Sequence, residues 1–550
     1  MLATVFALVC FLATSCLADT ALGVELASKA PILPTLKLPY GTWRAASYNA
    51  SNDIYTFKNI RFAAPPVGNL RWAKPAPPAH NATIQDGSYG NSCPQGLVPR
   101  HLYVPGSALK KNSKSLPVVV WTFGGAFVMG SKDAYDGTGP IVESGNEMIF
   151  VTYNYRVGSF GFLAGTTMEQ QGLPNAGLYD QRAVFQWVQD YIHLVGGDRT
   201  QVTAWGESAG ASSILMHITA FGGKQDPLFH KAILQSIASE FLPDRRGEVE
   251  GFYQKYLTLT NCSGQSLQCL RSASFDTLQA ANNELIADAP TPVFQPNPAS
   301  DGSWIRQMPA LELASGNYWK NLSGLILSHT AHEAEIFAIG AITSDAGFVN
   351  LTNFNVPSYA SSVRKAVGEY YPSPNSVGGP FATQDARTIQ FLDDTIFLCN
   401  YRYLNAAFKG KTWSMQYNIG TAYHGSDITP TFFDGTGAIT TEQATLYRDY
   451  QSYFDSFTLT DDPNTRRSDA KAPPTIYWPE QLNVSNVLNV TDTGFELITD
   501  QESLKNRCDF FLNVQAAVTL AGGYVPPGGE VPNTLGVTNS KPRGNYTTPS

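Results

Sequence analysis

The chain is poor in charge. Asp, Glu, Lys and Arg make up 15% of its 550 residues, the formal net charge is −8, and no basic run is longer than Lys110-Lys111. That excludes nucleic acid as a partner and a polybasic grip on membranes. Cysteine is scarce, with seven in all, and no Cys and His spacing fits a metal site. Histidine is scarcer than its usefulness in catalysis would suggest, at eight. Long apolar runs are missing beyond residues 2–17 (LATVFALVCFLATSCL), so no stable membrane insertion is expected. The C-terminal end carries no apolar segment of the kind a GPI anchor signal needs.

What is present is an ordinary globular composition, 43% hydrophobic and 12% aromatic. A chain of this length buries a large core as one α/β domain with insertions or as two lobes. The run at 2–17 is short for a membrane span and ends in Cys16-Leu17-Ala18, which suits cleavage before Asp19. Residues 1–18 read as a signal peptide, 19–521 as the folded domain, and the Gly, Pro, Asn and Thr-rich 522–550 as a disordered tail. Secretion agrees with the N-x-S/T sequons at Asn49, Asn81, Asn261, Asn321, Asn350, Asn483, Asn489 and Asn545, many of them expected on surface loops. The cleaved chain keeps Cys93, Cys262, Cys269, Cys399 and Cys508, an odd number. Cys262 and Cys269 enclose a short polar loop that suits a local disulfide. There is no internal repeat.

Strand-like runs alternate with helical patterns. Val118–Trp121 and Met148–Val151 read as buried parallel strands. Leu178–Val195 has helical spacing, and strands follow at 201–205, 230–234, 325–327 and 413–415. The alternation predicts a mostly parallel, doubly wound sheet. Residues 240–320, broken by prolines at 290–298, and 340–410 read as helical insertions over the C-terminal edge of the sheet, where open α/β sheets bind ligands.

The most informative segment is Gly206-Glu207-Ser208-Ala209-Gly210. Gln201–Trp205 alternates like a strand before it, and Ala211–His217 starts a helix after it. A serine on so tight a strand-to-helix turn projects its hydroxyl from the sheet's end beside free helix N–H groups. A serine hydroxyl needs a base, and the base needs an orienting carboxylate. His424, in Thr421-Ala422-Tyr423-His424-Gly425-Ser426-Asp427, follows a predicted strand and stands after the serine. In the chain order serine, acid, histidine, the acid falls between them. Glu333 and Glu335, after the strand at 325–327, both fit by position. An oxyanion needs N–H donors. Phe123-Gly124-Gly125-Ala126-Phe127 follows a strand, so the N–H groups of Gly125, Ala126 and Ala209 are the expected donors. That loop carries no phosphate-cradling fingerprint.

At these residues the sequence resembles the type-B carboxylesterase, lipase and cholinesterase family of α/β-hydrolases, from about Tyr55 to Phe511. Phe57–Gly68 is similar to the family's N-terminal signature, Asn154–Gly158 and Pro174–Arg182 to its central block, and His193–Asp198 to the segment before the nucleophile strand. The resemblance implies an α/β-hydrolase fold: a mostly parallel twisted sheet flanked by helices, with helical insertions over its C-terminal edge. It implies a Ser208, Glu333 and His424 triad, choosing Glu333 because the family's acid stands four residues before a phenylalanine, here Phe337. It also implies the Cys262–Cys269 bridge; the partners of Cys93, Cys399 and Cys508 stay open, with Cys399–Cys508 one candidate pairing. Three departures stand out. Ala334 follows the acid where the family has glycine, Ile237 replaces a glycine in Gln235-Ser236-Ile237, and Leu102–Pro105 follows Cys93 too soon, without the second cysteine of the family's lid loop. A shortened lid argues against an interfacially activated lipase.

The expected function is a secreted serine hydrolase that cleaves carboxylic esters through an acyl-enzyme. It needs no cofactor and no metal, and its partner is a small-molecule or lipid ester; no oligomeric state is specified. A catalytically inert binding or adhesion protein and a lipase for long-chain acylglycerols are the alternatives. An imidazole near its ordinary pKa would lose activity as pH falls through roughly 6 to 7.

Overall fold

The computed structural model describes residues 33–88, 100–110, 113–240, 244–289, 292–465, 476–481 and 486–529. The leader at 1–18, Cys93, Asn483, Asn545 and the tail beyond 529 lie outside the described residues.

Fourteen strands are seen among the described residues: β1 (Thr35–Leu38), β2 (Gly41–Arg44), β3 (Ser47–Asn49), β4 (Ile54–Ile60), β5 (Asn81–Gln85), β6 (Arg100–Pro105), β7 (Leu116–Thr122), β8 (Ile149–Thr152), β9 (Gly197–Glu207), β10 (Lys231–Gln235), β11 (Leu325–Thr330), β12 (Thr412–Asn418), β13 (Asn486–Thr491) and β14 (Gly494–Thr499). Eleven form one sheet in the order β14-β13-β12-β11-β10-β9-β7-β8-β6-β4-β3, and β1, β2 and β5 form a small separate one. From β13 to β8 every pairing is parallel. The hairpin partner β14 and the strands β6, β4 and β3 add antiparallel flanks. The fold is the expected α/β-hydrolase sheet, with antiparallel edges and an N-terminal sheet added.

Why these segments are central strands follows from their composition. Val118, Val119, Val120, Ile149, Val151, Ile233, Leu234, Ile326 and Leu327 are buried on both faces of the sheet, as parallel strands covered by helices must be. The principal helices are α1 (Ala176–Tyr191), α2 (Ala209–Ile218), α3 (Glu248–Leu259), α4 (Phe275–Ala287), α5 (Leu398–Ala407), α6 (Thr441–Thr460) and α7 (Lys505–Gly522). Helix α2 is buried at every position, so it runs through the core and not along the surface. The insertions are helical as expected. They carry their own apolar core, in which Leu351, Val363, Phe391 and Leu392 pack with Val514 and Val518 of α7.

The expected Cys262–Cys269 bridge is formed, and Cys399 and Cys508, whose partners the sequence leaves open, are bonded to each other. One sequence expectation needs correction. The expected tail begins at Gly522, yet Tyr524 is buried and its hydroxyl donates to Asp244 Oδ1 at 2.9 Å, so the first residues after α7 belong to the packed domain. Asn489 lies in β13, buried, with Nδ2 bonded to Glu496 Oε1 at 2.8 Å, and is closed to glycan in the folded chain; Asn49, Asn261, Asn321 and Asn350 are exposed.

Candidate active site

The ends of β7, β9, β11 and β12 place the site. Ser208 follows the last residue of β9 and precedes α2, with φ 57° and ψ −124°, a conformation that only a tightly held turn imposes on a side-chain-bearing residue. What holds it is close packing. A Cβ on Gly210 would stand 1.9 Å from the Thr122 carbonyl oxygen at the end of β7, and one on Gly206 would stand 2.7 Å from Gly210. The Ser208 N–H is tied to the Gln235 carbonyl at the end of β10, 2.9 Å away. The small residues of the G-x-S-x-G run thus let the turn fit between two neighbouring strand ends.

The loop after β12 brings His424 over this turn, and the loop after β11 brings Glu333. Residues 332 and 423 form a bridge between the two loops, with the His332 N–H on the Ala422 carbonyl at 3.1 Å, which sets one loop against the other. His424 Nε2 lies 2.9 Å from Ser208 Oγ, and its Nδ1 lies 2.6 Å from Glu333 Oε2. The second Glu333 oxygen accepts the Thr330 N–H at 2.8 Å, so the buried carboxylate is held at both ends. Glu335, the other carboxylate that fitted by position, pairs with His332 at 2.8 Å and does not reach His424.

Gly125 and Ala126 stand across from the serine with φ 109° and 52°. Among the described residues their N–H groups donate to no other group. Ala209 opens α2, where backbone N–H groups are unpaired by construction. A Cβ on Gly125 would meet the Met129 carbonyl at 2.4 Å, so that residue has to be glycine.

Electrostatically the site is acidic. Burial pushes the Glu333 carboxyl up, but the His424 ring beside it, with its hydrogen bond and the Thr330 N–H, outweighs burial and holds it below the usual range. Burial lowers the His424 imidazole. Glu333, then Glu207 and Asp427, outweigh that and raise it to about 9. The imidazole thus stands above the ordinary value assumed from sequence, because three carboxyls from different elements share it.

Sequence reasoning missed several of these groups. Glu207, next to the serine, has Oε1 3.4 Å from His424 Nε2. Asp427 is buried and accepts from Gln235 Nε2 at 2.7 Å. Both were visible as parts of motifs, yet nothing local announced that they would converge. Phe397 and Phe337 pack their rings 4.9 and 5.4 Å from the His424 ring. Phe397 ends a π-helical turn, Asp393–Phe397, and single π-turns often mark functional sites.

A cavity of about 230 Å³ opens over the serine. Gly125, Ala126, Ser208 and His424 form its floor, and Phe127, Ala238, Phe294, Phe337, Leu392, Ile396 and Phe397 supply apolar walls. Glu240 and Asn297 are polar exceptions in that wall. Among the described residues no His, Cys, Asp or Glu cluster could hold a metal ion, and no helix is long and apolar enough to cross a membrane.

Residues 33–511 match the model of the carboxylesterase family. The chain is 38% identical to a secreted lipase of Arthroderma benhamiae, over 92% of this chain and 97% of the relative. It is 30% identical to the carboxylesterase patB of Aspergillus clavatus, over 89% and 97%. Among solved structures it resembles Aspergillus niger EstA, with 26% identity, a TM-score of 0.76, and coverage of 89% of this chain and 99% of that one.

Proposed function

This chain belongs to the carboxylesterase family and hydrolyses carboxylic esters, and from that premise we propose that Ser208, His424 and Glu333 carry the reaction. His424 Nε2 removes the proton from Ser208 Oγ as the oxygen attacks the ester carbonyl. Glu333 holds the ring through Nδ1 and stabilises its cationic form. The N–H groups of Gly125, Ala126 and Ala209 bind the oxyanion. His424 then returns the proton to the departing alcohol, leaving an acyl group on Ser208. Water, deprotonated by the same nitrogen, releases the acid. The observation that carries this reading is the continuous chain Ser208 Oγ, His424, Glu333, with contacts of 2.9 and 2.6 Å at the two ring nitrogens.

The reading extends to the whole chain. Residues 1–18 are a leader removed on export, in keeping with the similarity to relatives named as secreted lipases, and a single hydrolase domain follows. The substrate is a small-molecule or lipid ester held in the cavity. The name of the Arthroderma relative favours one second reading, action on long-chain acylglycerols. Rates on a series of p-nitrophenyl esters of increasing chain length separate the two: a lipase gains rate with chain length, an esterase loses it.

The triad is tested with a fluorophosphonate probe. Wild-type protein should be labelled and Ser208→Ala should not, with ester hydrolysis falling by roughly a million-fold. Labelling or turnover that survives in a folded Ser208→Ala protein sinks the assignment.

A further inference from the structure

The mechanism uses the cavity's floor and leaves one part of its wall unexplained. Glu240, five residues past the end of β10, lines the same cavity as Ser208. A carboxyl group is out of place in a wall that is mostly Phe, Leu, Ile and Ala, because burying it without partners is unfavourable. Its partners come from a single loop. The Phe294 N–H donates to Oε1 at 3.2 Å, Gln295 Nε2 to Oε2 at 2.8 Å, and Asn297 Nδ2 to Oε2 at 2.7 Å.

All three partners are donors, so they favour the ionised carboxyl, while burial pushes it up to about 7. Asn297 adds to the imbalance. Its amide nitrogen also donates to the Phe294 carbonyl at 2.8 Å, which fixes the orientation of the amide, and Oδ1 is left buried with no partner among the described residues. Asn297 is 6% exposed and lines the cavity beside Glu240. This end of the cavity therefore holds a half-buried carboxyl whose Oε1 accepts a hydrogen bond from one backbone N–H, beside an amide whose orientation is fixed. A carboxylate oxygen accepts more than one donor, so a hydroxyl entering the cavity can add a second bond at Glu240.

We propose that Glu240 and Asn297 form a polar subsite that accepts a hydroxyl group of the substrate, so that the preferred esters carry a hydroxyl in the part held in the cavity in place of unbroken hydrocarbon. The proposal rests on the esterase reading above and narrows its substrate class. A hydroxyl suits the subsite better than an ammonium group does. It donates to the ionised carboxyl, and it can also accept if Glu240 is protonated.

The test uses ester pairs that differ only by hydroxyl against methyl, with kcat/KM followed by pH-stat titration. Methyl 6-hydroxyhexanoate against methyl heptanoate probes the acyl side, and 3-hydroxypropyl acetate against butyl acetate the alcohol side. In an apolar cavity the methyl member wins both pairs. With the subsite, the hydroxyl member should win at least one, by about tenfold to a hundredfold, the range for a hydrogen bond to a charged group. Glu240→Leu should reverse that preference and Glu240→Gln should blunt it. A purely structural role for Glu240 lowers both members alike and leaves their ratio unchanged. A methyl preference in both wild-type pairs overturns the proposal, as does a hydroxyl preference that survives in both variants. If neither variant folds, the wild-type ratios decide alone. Absence of turnover on all four esters, with no fluorophosphonate label on Ser208, instead brings down the esterase reading beneath it.

Discussion

The floor of the cavity and its wall are built in different ways. The floor is backbone geometry: a serine at φ 57° between glycines, a glycine loop at φ 109°, and an imidazole brought in by a short loop after β12. Each piece sits at a strand end, and the parallel register fixes their separation, with Thr122 opposite Gly206 and Gln235 opposite Glu207. The wall is side chains borrowed from separate stretches, around 238–240, 292–297, 337 and 392–397, none of them in a strand. On the proposed reading, the floor carries the reaction and the wall decides which ester enters. Changes to the floor should therefore lower every substrate together, and changes to the wall should redistribute rates among substrates.

The largest break in that comparison comes from the floor. Glu333→Gln keeps a hydrogen-bonding group against His424 Nδ1 but removes the charge that stabilises the imidazolium. We expect kcat to fall roughly 1,000- to 10,000-fold on short and long esters alike. A loss that depends on chain length would mean that Glu333 shapes the wall as well.

Next is the strap behind the wall. Cys399 sits at the start of α5, two residues past the π-turn that brings Ile396 and Phe397 to the cavity, and its bridge to Cys508 in α7 spans 109 residues. The Cys262–Cys269 bridge spans only 7 and lies in a different apolar cluster, away from the cavity. Closing the longer loop removes more freedom from the unfolded chain, about 5 kcal/mol against about 2.5 for the shorter. Cys399→Ser should therefore lower Tm more than Cys262→Ser, and it alone should also shift chain-length preference. Equal effects on both measures would dissolve the link between this strap and the wall.

A smaller effect is expected within the wall. Phe397→Ala removes the ring packed 4.9 Å from His424 and opens the cavity. Rates on short esters should fall about tenfold as the imidazole loses its support, while bulkier esters lose less or gain. The ratio of short to long substrate is the measurement, and an unchanged ratio counts against the division proposed here.

The same division explains what was legible in the sequence. Gly206, Ser208 and Gly210 announce the floor because only small residues fit that turn, and a backbone requirement writes itself into the local sequence. Strands such as Val118–Trp121 were legible because parallel strands buried on both faces have to be continuously apolar. The hairpin β13–β14 and the small N-terminal sheet carried no such run and were not foreseen. Glu240 was unreadable for a different reason. Its meaning lies in three donors more than fifty positions away, and no local pattern encodes that meeting. The choice between Glu333 and Glu335 came from family resemblance. By spacing alone the two are equal, and only the folded loops separate them.

The smallest predicted effect tests where floor and wall meet. Glu207 belongs to the nucleophile turn by sequence, lines the cavity, and stands 3.4 Å from His424 Nε2. His424 has to be neutral to act as a base, so raising its pKa moves the acid limb of the rate profile upward, and activity is lost as pH falls through that limb. Burial works the other way, but Glu333, Glu207 and Asp427 together lift the imidazole to about 9. Glu207 is itself pushed up to about 8 by burial, so its charge counts mainly on the alkaline side. Glu207→Gln removes that charge. The acid limb of kcat/KM should then move to lower pH by up to about one unit, equivalent to about 1.4 kcal/mol, with the limit at high pH little changed. A limb that stays in place would mean that Glu333 sets the imidazole's basicity without help, and that Glu207 belongs to the wall alone.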